Sequence, residues 1–158
     1  MDTLVGFMLE PWRESKKRKA IATGKFYFFD PGVVNFLAGI RVVDRHSNHF
    51  GNYFETLIGH ELRAYLSYSR TFDDLTFWRT DTGFEVDYLV GNHTAIEVKS
   101  KSHVTKDDLK GLMALGEEGV FKHFIMVSHD EVEKNDSGIH IIHWSTFLKR
   151  LWEKGLGE

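Results

Sequence analysis

Cysteine is absent from this 158-residue chain, which excludes disulfides, thiolate catalysis and zinc-thiolate centres. Any metal must therefore be held by oxygen or imidazole ligands. No apolar run approaches the roughly 18 residues that a membrane span needs, and the N-terminus lacks a charged segment followed by a signal-type apolar stretch. The expected setting is the cytoplasm, with no membrane partner. A GxxxxGK[ST] phosphate loop is missing, so ATP binding is not claimed for these residues. Repeats and low-complexity tracts are missing too. The formal charge of -3 is not that of a protein coated in basic residues, so any contact with DNA depends on a local patch.

What is present is enough apolar material for one full core: 42% of residues are hydrophobic and 14% aromatic, which suggests one domain with an appendage. The chain is organised around residues 84–100, two strands joined by a tight turn at Gly91 and Asn92. Phe84, Val86, Tyr88 and Val90 alternate with Glu85, Asp87 and Leu89; Ile96 and Val98 alternate with Ala95, Glu97 and Lys99. One apolar face and one charged face are expected. Glu97 and Lys99 share a face, about 7 Å apart along the strand. In one reading Asp87, Glu97 and Lys99 form a cross-strand ion pair on a solvated face. In the other, Asp87 and Glu97 hold a divalent metal while Lys99 contacts a scissile phosphate or the attacking water. The second reading demands a particular register. A two-residue loop sets position 87 opposite 96 and puts the acids on opposite faces, whereas a three-residue loop or a bulge sets 87 opposite 97.

In chain order, residues 1–30 hold an apolar stretch from Leu4 to Leu9, a turn with Pro11, the basic run Lys16 to Lys19, and a strand-like Lys25 to Phe29. They predict a hairpin with a long, mobile tip. The basic run reads either as a solvated loop or as the wing of a winged helix. Val33, Val34, Phe36, Leu37 and Ile40 predict a short helix that packs on the core and ends at Gly39. His46 and His49 have the wrong spacing for a helical metal pair. A long helix is expected from Asn52 to Ser69, with Asn52 as N-cap. Glu55 and Glu61 both flank its apolar stripe, so periodicity does not choose between them for a role near the acids, and Asn52-x-x-Glu55 also has capping-box spacing.

Leu75 to Thr80 predicts a strand, which makes three antiparallel strands in succession. Arg79, on that strand, reads as a solvated charge or as a phosphate contact near the acidic face. Thr105 and Asp108 open a further helix, and Lys101, His103, Lys106 and Lys110 gather around its entrance, either solvating it or contacting nucleic acid. The apolar run Phe121 to Ser128 implies a buried strand, parallel to its neighbour after a helical crossover. Ile139 to Trp144 and Phe147 to Trp152 predict a last strand and helix. His140 and His143 face opposite sides of that strand and do not chelate together.

An acid followed one strand later by Glu-x-Lys resembles the PD-(D/E)XK signature of the restriction-endonuclease-like superfamily, with Asp87, Glu97 and Lys99 in its three positions. Val86 stands where the signature has proline. The words GNYFETLIGHEL, FWRTDTGFEVDYLV and AIEVKS resemble an uncharacterised domain often found C-terminal to AAA+-type ATPases of prokaryotes, over about residues 24–128. This resemblance implies an α/β fold: a restriction-endonuclease-like core with a central mixed sheet, in the order helix, three antiparallel strands, helix, strand. It implies an N-terminal hairpin and short helix at 1–40, the remnant of a winged-helix module, and a nuclease-like domain at 50–158. The G-x-x-FE word favours Glu55 beside Asp87 and Glu97 as metal ligand, with Glu61 in reserve. Mg²⁺ or Mn²⁺ is the implied cofactor. DNA is the implied partner, contacted by Lys101, Lys106, Lys110 and Arg79, together with an ATPase partner or a preceding ATPase domain; a homodimer fits as well. The expected activity is metal-dependent hydrolysis of phosphodiester bonds. The rival is a nuclease-fold module that no longer cleaves and docks DNA or protein for an ATPase, and the helix after Lys99 does lack the Gln-x-x-x-Tyr motif of RecB-like nucleases.

Overall fold

The computed structural model describes residues 5–44 and 47–156, so Leu4 and His46 lie outside the described residues. Among the described residues the architecture is mixed α/β: one eight-stranded sheet, in the order β2-β1-β3-β4-β5-β6-β8-β7, with four α-helices around it. The strands are β1 (Gly6–Pro11), β2 (Lys25–Phe28), β3 (Leu75–Arg79), β4 (Glu85–Val90), β5 (Thr94–Lys99), β6 (His123–Ser128), β7 (Lys134–Asp136) and β8 (Ile139–His143). The helices are α1 (Pro31–Leu37), α2 (Asn48–Ser69), α3 (Lys110–Gly116) and α4 (Trp144–Lys154). Among the described residues no helix is long and apolar enough to cross a membrane.

Both faces of the sheet are covered, which corrects the expected split into an apolar and a solvated face. Phe54, Ile58 and Leu62 of α2 and Phe147 and Leu151 of α4 pack on one side, against Tyr88, Val90, Ile96 and Val98. Leu112, Ala114 and Leu115 of α3 pack on the other, against Val86, Leu89, Ala95 and Met126. Central strands covered twice need apolar residues at consecutive positions, which explains the near-continuous runs of β4 to β6. Alternation in β4 is also broken. Its register with β3 shifts between Thr76 opposite Leu89 and Trp78 opposite Val86, so β4 carries one extra residue. That bulge sends Val86 and Tyr88 to opposite sides of the sheet.

The β4–β5 turn has the register that convergence of the acids requires. Val90 pairs with Thr94, Leu89 with Ala95 and Tyr88 with Ile96, leaving residues 91–93 as a three-residue loop. Gly91 takes a left-handed φ of 51° within it. The next step of this register sets Asp87 opposite Glu97. After β5, a 3-10 turn (Lys106–Leu109) and α3 carry the chain over the sheet, and β6 then pairs parallel to β5, as the crossover argument predicts.

The N-terminal hairpin is not an appendage. β1 pairs antiparallel with β2 and parallel with β3, and Phe7, Leu9 and Tyr27 are buried in the same core as α2. Nor is its tip loose. The Ser15 hydroxyl and the backbone N–H groups of Lys16 and Lys17 donate to the Glu118 carboxylate at 2.8–3.2 Å, while Arg18 bonds the Ala114 carbonyl and Glu117 at 2.9 Å. These contacts join the loop that carries the basic run to the C-terminal end of α3, with Lys16, Lys17 and Lys19 exposed.

Two helices also differ from expectation. α2 starts earlier, with the Ser47 hydroxyl accepting from the Phe50 N–H at 3.3 Å, so Asn52 lies inside the helix and caps nothing. α1 buries no residue, and Phe36 and Leu37 are 84% and 75% exposed. It stands beside β2 and the first turns of α2, tied there by the Tyr53 hydroxyl, which donates to the Asn35 side-chain oxygen. A seven-residue amphipathic segment is too short to hold a core position by its own propensity, and here the sheet face is already filled by α2 and α4.

Candidate functional site

The site forms where β4 and β5 part. Their ladder runs from Val90 and Thr94 to Tyr88 and Ile96; beyond it β4 continues along β3 to Glu85, while β5 continues along β6 to Lys99. Asp87 and Glu97 are the first residues past the last pair and flank the fork. Both are buried, at 5% and 4% exposure. Asp87 Oδ2 accepts the backbone N–H of Val98 at 2.9 Å. Lys99 Nζ donates to Glu97 Oε1 at 2.5 Å, and Glu97 Oε2 is buried without a hydrogen-bond partner among the described residues. The solvated ion-pair reading therefore fails on burial, and the acidic pair needs another physical reason.

Glu55 comes in from α2. It accepts from the Tyr27 hydroxyl, lies 3.5 Å from Lys25 Nζ, and its backbone carbonyl accepts the Tyr88 hydroxyl at 2.9 Å. Its carboxylate faces the cluster and forms no capping box with Asn52. Glu61 does not join it. Glu61 accepts the Trp152 indole N–H at 2.8 Å, on the side of α2 that meets α4, which removes it as the reserve ligand.

Lys25, Tyr27 and Glu85 are members of the cluster that periodicity did not single out. Lys25 Nζ is ion-paired to Glu85 and lies 3.8 Å from Asp87 Oδ1, so one ammonium touches three carboxylates. Alternation along β2 sets Lys25 and Tyr27 on one face, a signal readable from KFYF. Which carboxylates they would meet, 28 to 62 residues away, was not readable.

The basic residues divide. Arg79 Nε lies 3.6 Å from Glu85 at the rim of the cluster. Lys101 is paired with Asp108 at 2.5 Å, Lys110 with Asp107 at 2.7 Å, and Lys106 is exposed at the start of the 3-10 turn. Lys101 and Lys110 thus meet acids of their own helix entrance. Asp108 also accepts the Thr105 N–H and hydroxyl at 3.0 and 2.8 Å, the capping box the sequence predicts.

Four carboxylates, Glu55, Glu85, Asp87 and Glu97, stand against the ammonium groups of Lys25 and Lys99. Burial and the charges of Glu97 and Glu55 hold the Asp87 pKa well above the usual carboxylate range, against the pull of Lys25 and Lys99. Burial raises Glu97 to about 7 although Lys99 opposes it. Burial alone would lower Lys25 and Lys99, yet the surrounding carboxylates outweigh it and raise both. The excess is negative and buried. As the side chains stand, no three His, Asp or Glu residues among those described converge closely enough to hold an ion together. The donor set nonetheless suits a hard divalent cation: carboxylate oxygens only, one of them orphaned, in a place short of positive charge.

Residues 50–147 match the family described as Domain of unknown function (DUF4143). No curated protein and no solved structure matches the chain.

Proposed function

The chain belongs to the DUF4143 family, and from its site we propose that it is a metal-dependent nuclease that hydrolyses phosphodiester bonds in DNA. The observation that carries this reading is two buried carboxylates, Asp87 and Glu97, flanking a strand fork, with Lys99 on one and a Glu97 oxygen unpartnered among the described residues. Asp87 and Glu97 would hold Mg²⁺ or Mn²⁺, with Glu55 as the third carboxylate. When bound, the ion supplies Lewis-acid polarisation of the phosphate and a lowered pKa for coordinated water. Lys99, about a third exposed, holds its ammonium where it orients the attacking water or offsets charge developing on the phosphoryl oxygens. Tyr27 orients Glu55 through its hydroxyl, and Lys25 keeps Glu85 and Asp87 from repelling one another.

The order α2, three antiparallel strands, α3, β6 is in keeping with the PD-(D/E)XK superfamily that Asp87, Glu97 and Lys99 resemble. A cytoplasmic setting and an AAA+-type ATPase, as partner or preceding domain, belong to the same proposal. One observation favours the rival, a non-cleaving module that docks DNA or protein for such an ATPase: Lys25 already satisfies part of the acidic cluster from within the chain.

Calorimetric titration with Mn²⁺ and Mg²⁺, followed by nicking of supercoiled plasmid, separates the two. The wild type is expected to bind and nick, Asp87→Asn to lose metal affinity, and Lys99→Met to keep metal while losing cleavage. A wild type that nicks nothing with either ion, alongside a Lys99→Met protein altered only in melting temperature, would leave the binding module standing.

A further inference from the structure

A cleft of about 620 Å³ opens between β2, α1 and the first turns of α2. Its size falls within the roughly 300–1,000 Å³ of ligand pockets. Lys25, Tyr27 and Glu55 line it and also belong to the acidic cluster, so the cleft adjoins the cluster through these three side chains. We propose that the cleft receives an unpaired base of a single strand whose phosphate lies at Asp87 and Glu97. The inference rests on the nuclease reading and deepens it by naming the substrate class.

Three features favour this occupant. The walls are mainly apolar, with the Tyr53 ring on α2 and Val34 on α1, and such walls take the flat face of a base of any sequence. Asn52 adds an exposed side-chain amide, donor and acceptor together, which matches the edge of a base that has no pairing partner. Lys25 stands where cleft and acids meet, so its ammonium faces both a phosphate at the fork and the nucleotide entering the cleft. A paired base cannot enter, because its edge and faces are occupied within the duplex; a base must be unpaired or flipped out first. The same placement accounts for α1. A helix that buries nothing in the core, yet is tied to α2 through Asn35 and Tyr53, serves as a wall.

The test is fluorescence anisotropy of the full chain in Ca²⁺, a larger and less polarising ion, with a short fluorescein-labelled single strand and with its duplex. The single strand should bind more tightly than the duplex. Val34→Trp, which fills the cleft from α1, should weaken single-strand binding about tenfold, the size of one lost base stack, while the melting temperature holds. Should that variant fail to fold, Asn52→Ala at an exposed position carries the test, with a smaller loss in the same direction. Equal or tighter binding of the duplex, no binding of either strand form, or cleft variants that bind the single strand as the wild type does would each overturn the proposal. Single-strand preference with no cleavage of that single strand in Mn²⁺ would sink the hydrolysis reading and leave the cleft; nicking of plasmid with duplex preference would do the reverse.

Discussion

The backbone N–H of Val98 donates to Asp87 Oδ2 at 2.9 Å, so a β4 side chain binds a buried β5 amide just where the β4–β5 ladder has ended. A carboxylate that plugs a strand fork has a structural task as well as a chemical one, and the two can be separated by substitution.

Asp87→Asn keeps an acceptor for the Val98 amide and removes a charge that burial, Glu97 and Glu55 all disfavour. Asp87→Ala removes the acceptor too. In metal-free buffer at pH 8, Asp87→Asn should melt at or above the wild type. Asp87→Ala should be less stable than Asp87→Asn by about 1–3 kcal/mol, the usual cost of an unsatisfied buried amide. Urea denaturation of the three proteins checks it, and equal stability of the two variants would argue against the Val98 bond.

Glu97 makes metal-free stability depend on pH. Its pKa is raised to about 7 in the folded chain, above the value near 4.5 of the unfolded one, so the folded state binds the extra proton. The stability this contributes is fully present below about pH 4.5 and is lost as pH rises through 7. In EDTA the wild type should therefore melt lower at pH 8 than at pH 5.5. Glu97→Gln should flatten that slope, and the difference between the two proteins cancels groups that titrate alike in both. Glu118 and Asp130 do not mask the effect: burial opposes them, but hydrogen bonds hold their pKa values low, and they are already ionised across this window. Mn²⁺ should bind more tightly as pH rises, because the proton must leave first.

Lys25 is the cation that the N-terminal hairpin lends to the site. Lys25→Met keeps most of the stem but removes the ammonium that stands over the Phe77 ring and leaves Glu55, Glu85 and Asp87 without it. At pH 8 without metal the variant should lose about 2 kcal/mol, in the range for hydrogen bonds to charged groups. Mn²⁺ should recover more of that loss than it adds to the wild type. Melting with and without Mn²⁺ reads this out; a loss that Mn²⁺ leaves untouched would mean that Lys25 acts apart from the ion site.

Gly111 lets α3 lie against the back of the same strand. A Cβ there would stand 2.1 Å from the Glu85 carbonyl oxygen, which is backbone and can move only with β4. Gly111→Ala should cost about 1–3 kcal/mol by overpacking, and should weaken Mn²⁺ binding by shifting the bulge that carries Asp87. Gly51→Ala on α2, where a Cβ meets open space, should instead add about 0.5–1 kcal/mol through helix propensity. Denaturation curves of the pair make each the control of the other.

Local pattern was enough for much of this architecture. The helical spacing of Phe54, Ile58 and Leu62, the capping box of Thr105 and Asp108, and the apolar run of β6 each depend on neighbours within one or two turns, so they read directly from residue order. The same holds for the demand that a three-residue loop accompany converging acids, since register follows from strand period. Other features depend on partners far along the chain. Whether β1 and β2 hang free or join the sheet is decided by pairing of Glu10 with Thr76, a contact no local periodicity encodes. The β4 bulge that separates Val86 from Tyr88 exists only against β3, and the burial of Asp87 and Glu97 follows from helices on both sides of the sheet. Lys25 entered the acidic cluster for the same reason: charge attraction across 30 to 62 residues acts only once the strands have set those side chains together. By itself the sequence determined the elements and the residue types available for chemistry; tertiary structure decided which carboxylates share a buried place, because burial and long-range electrostatics are properties of the packed chain.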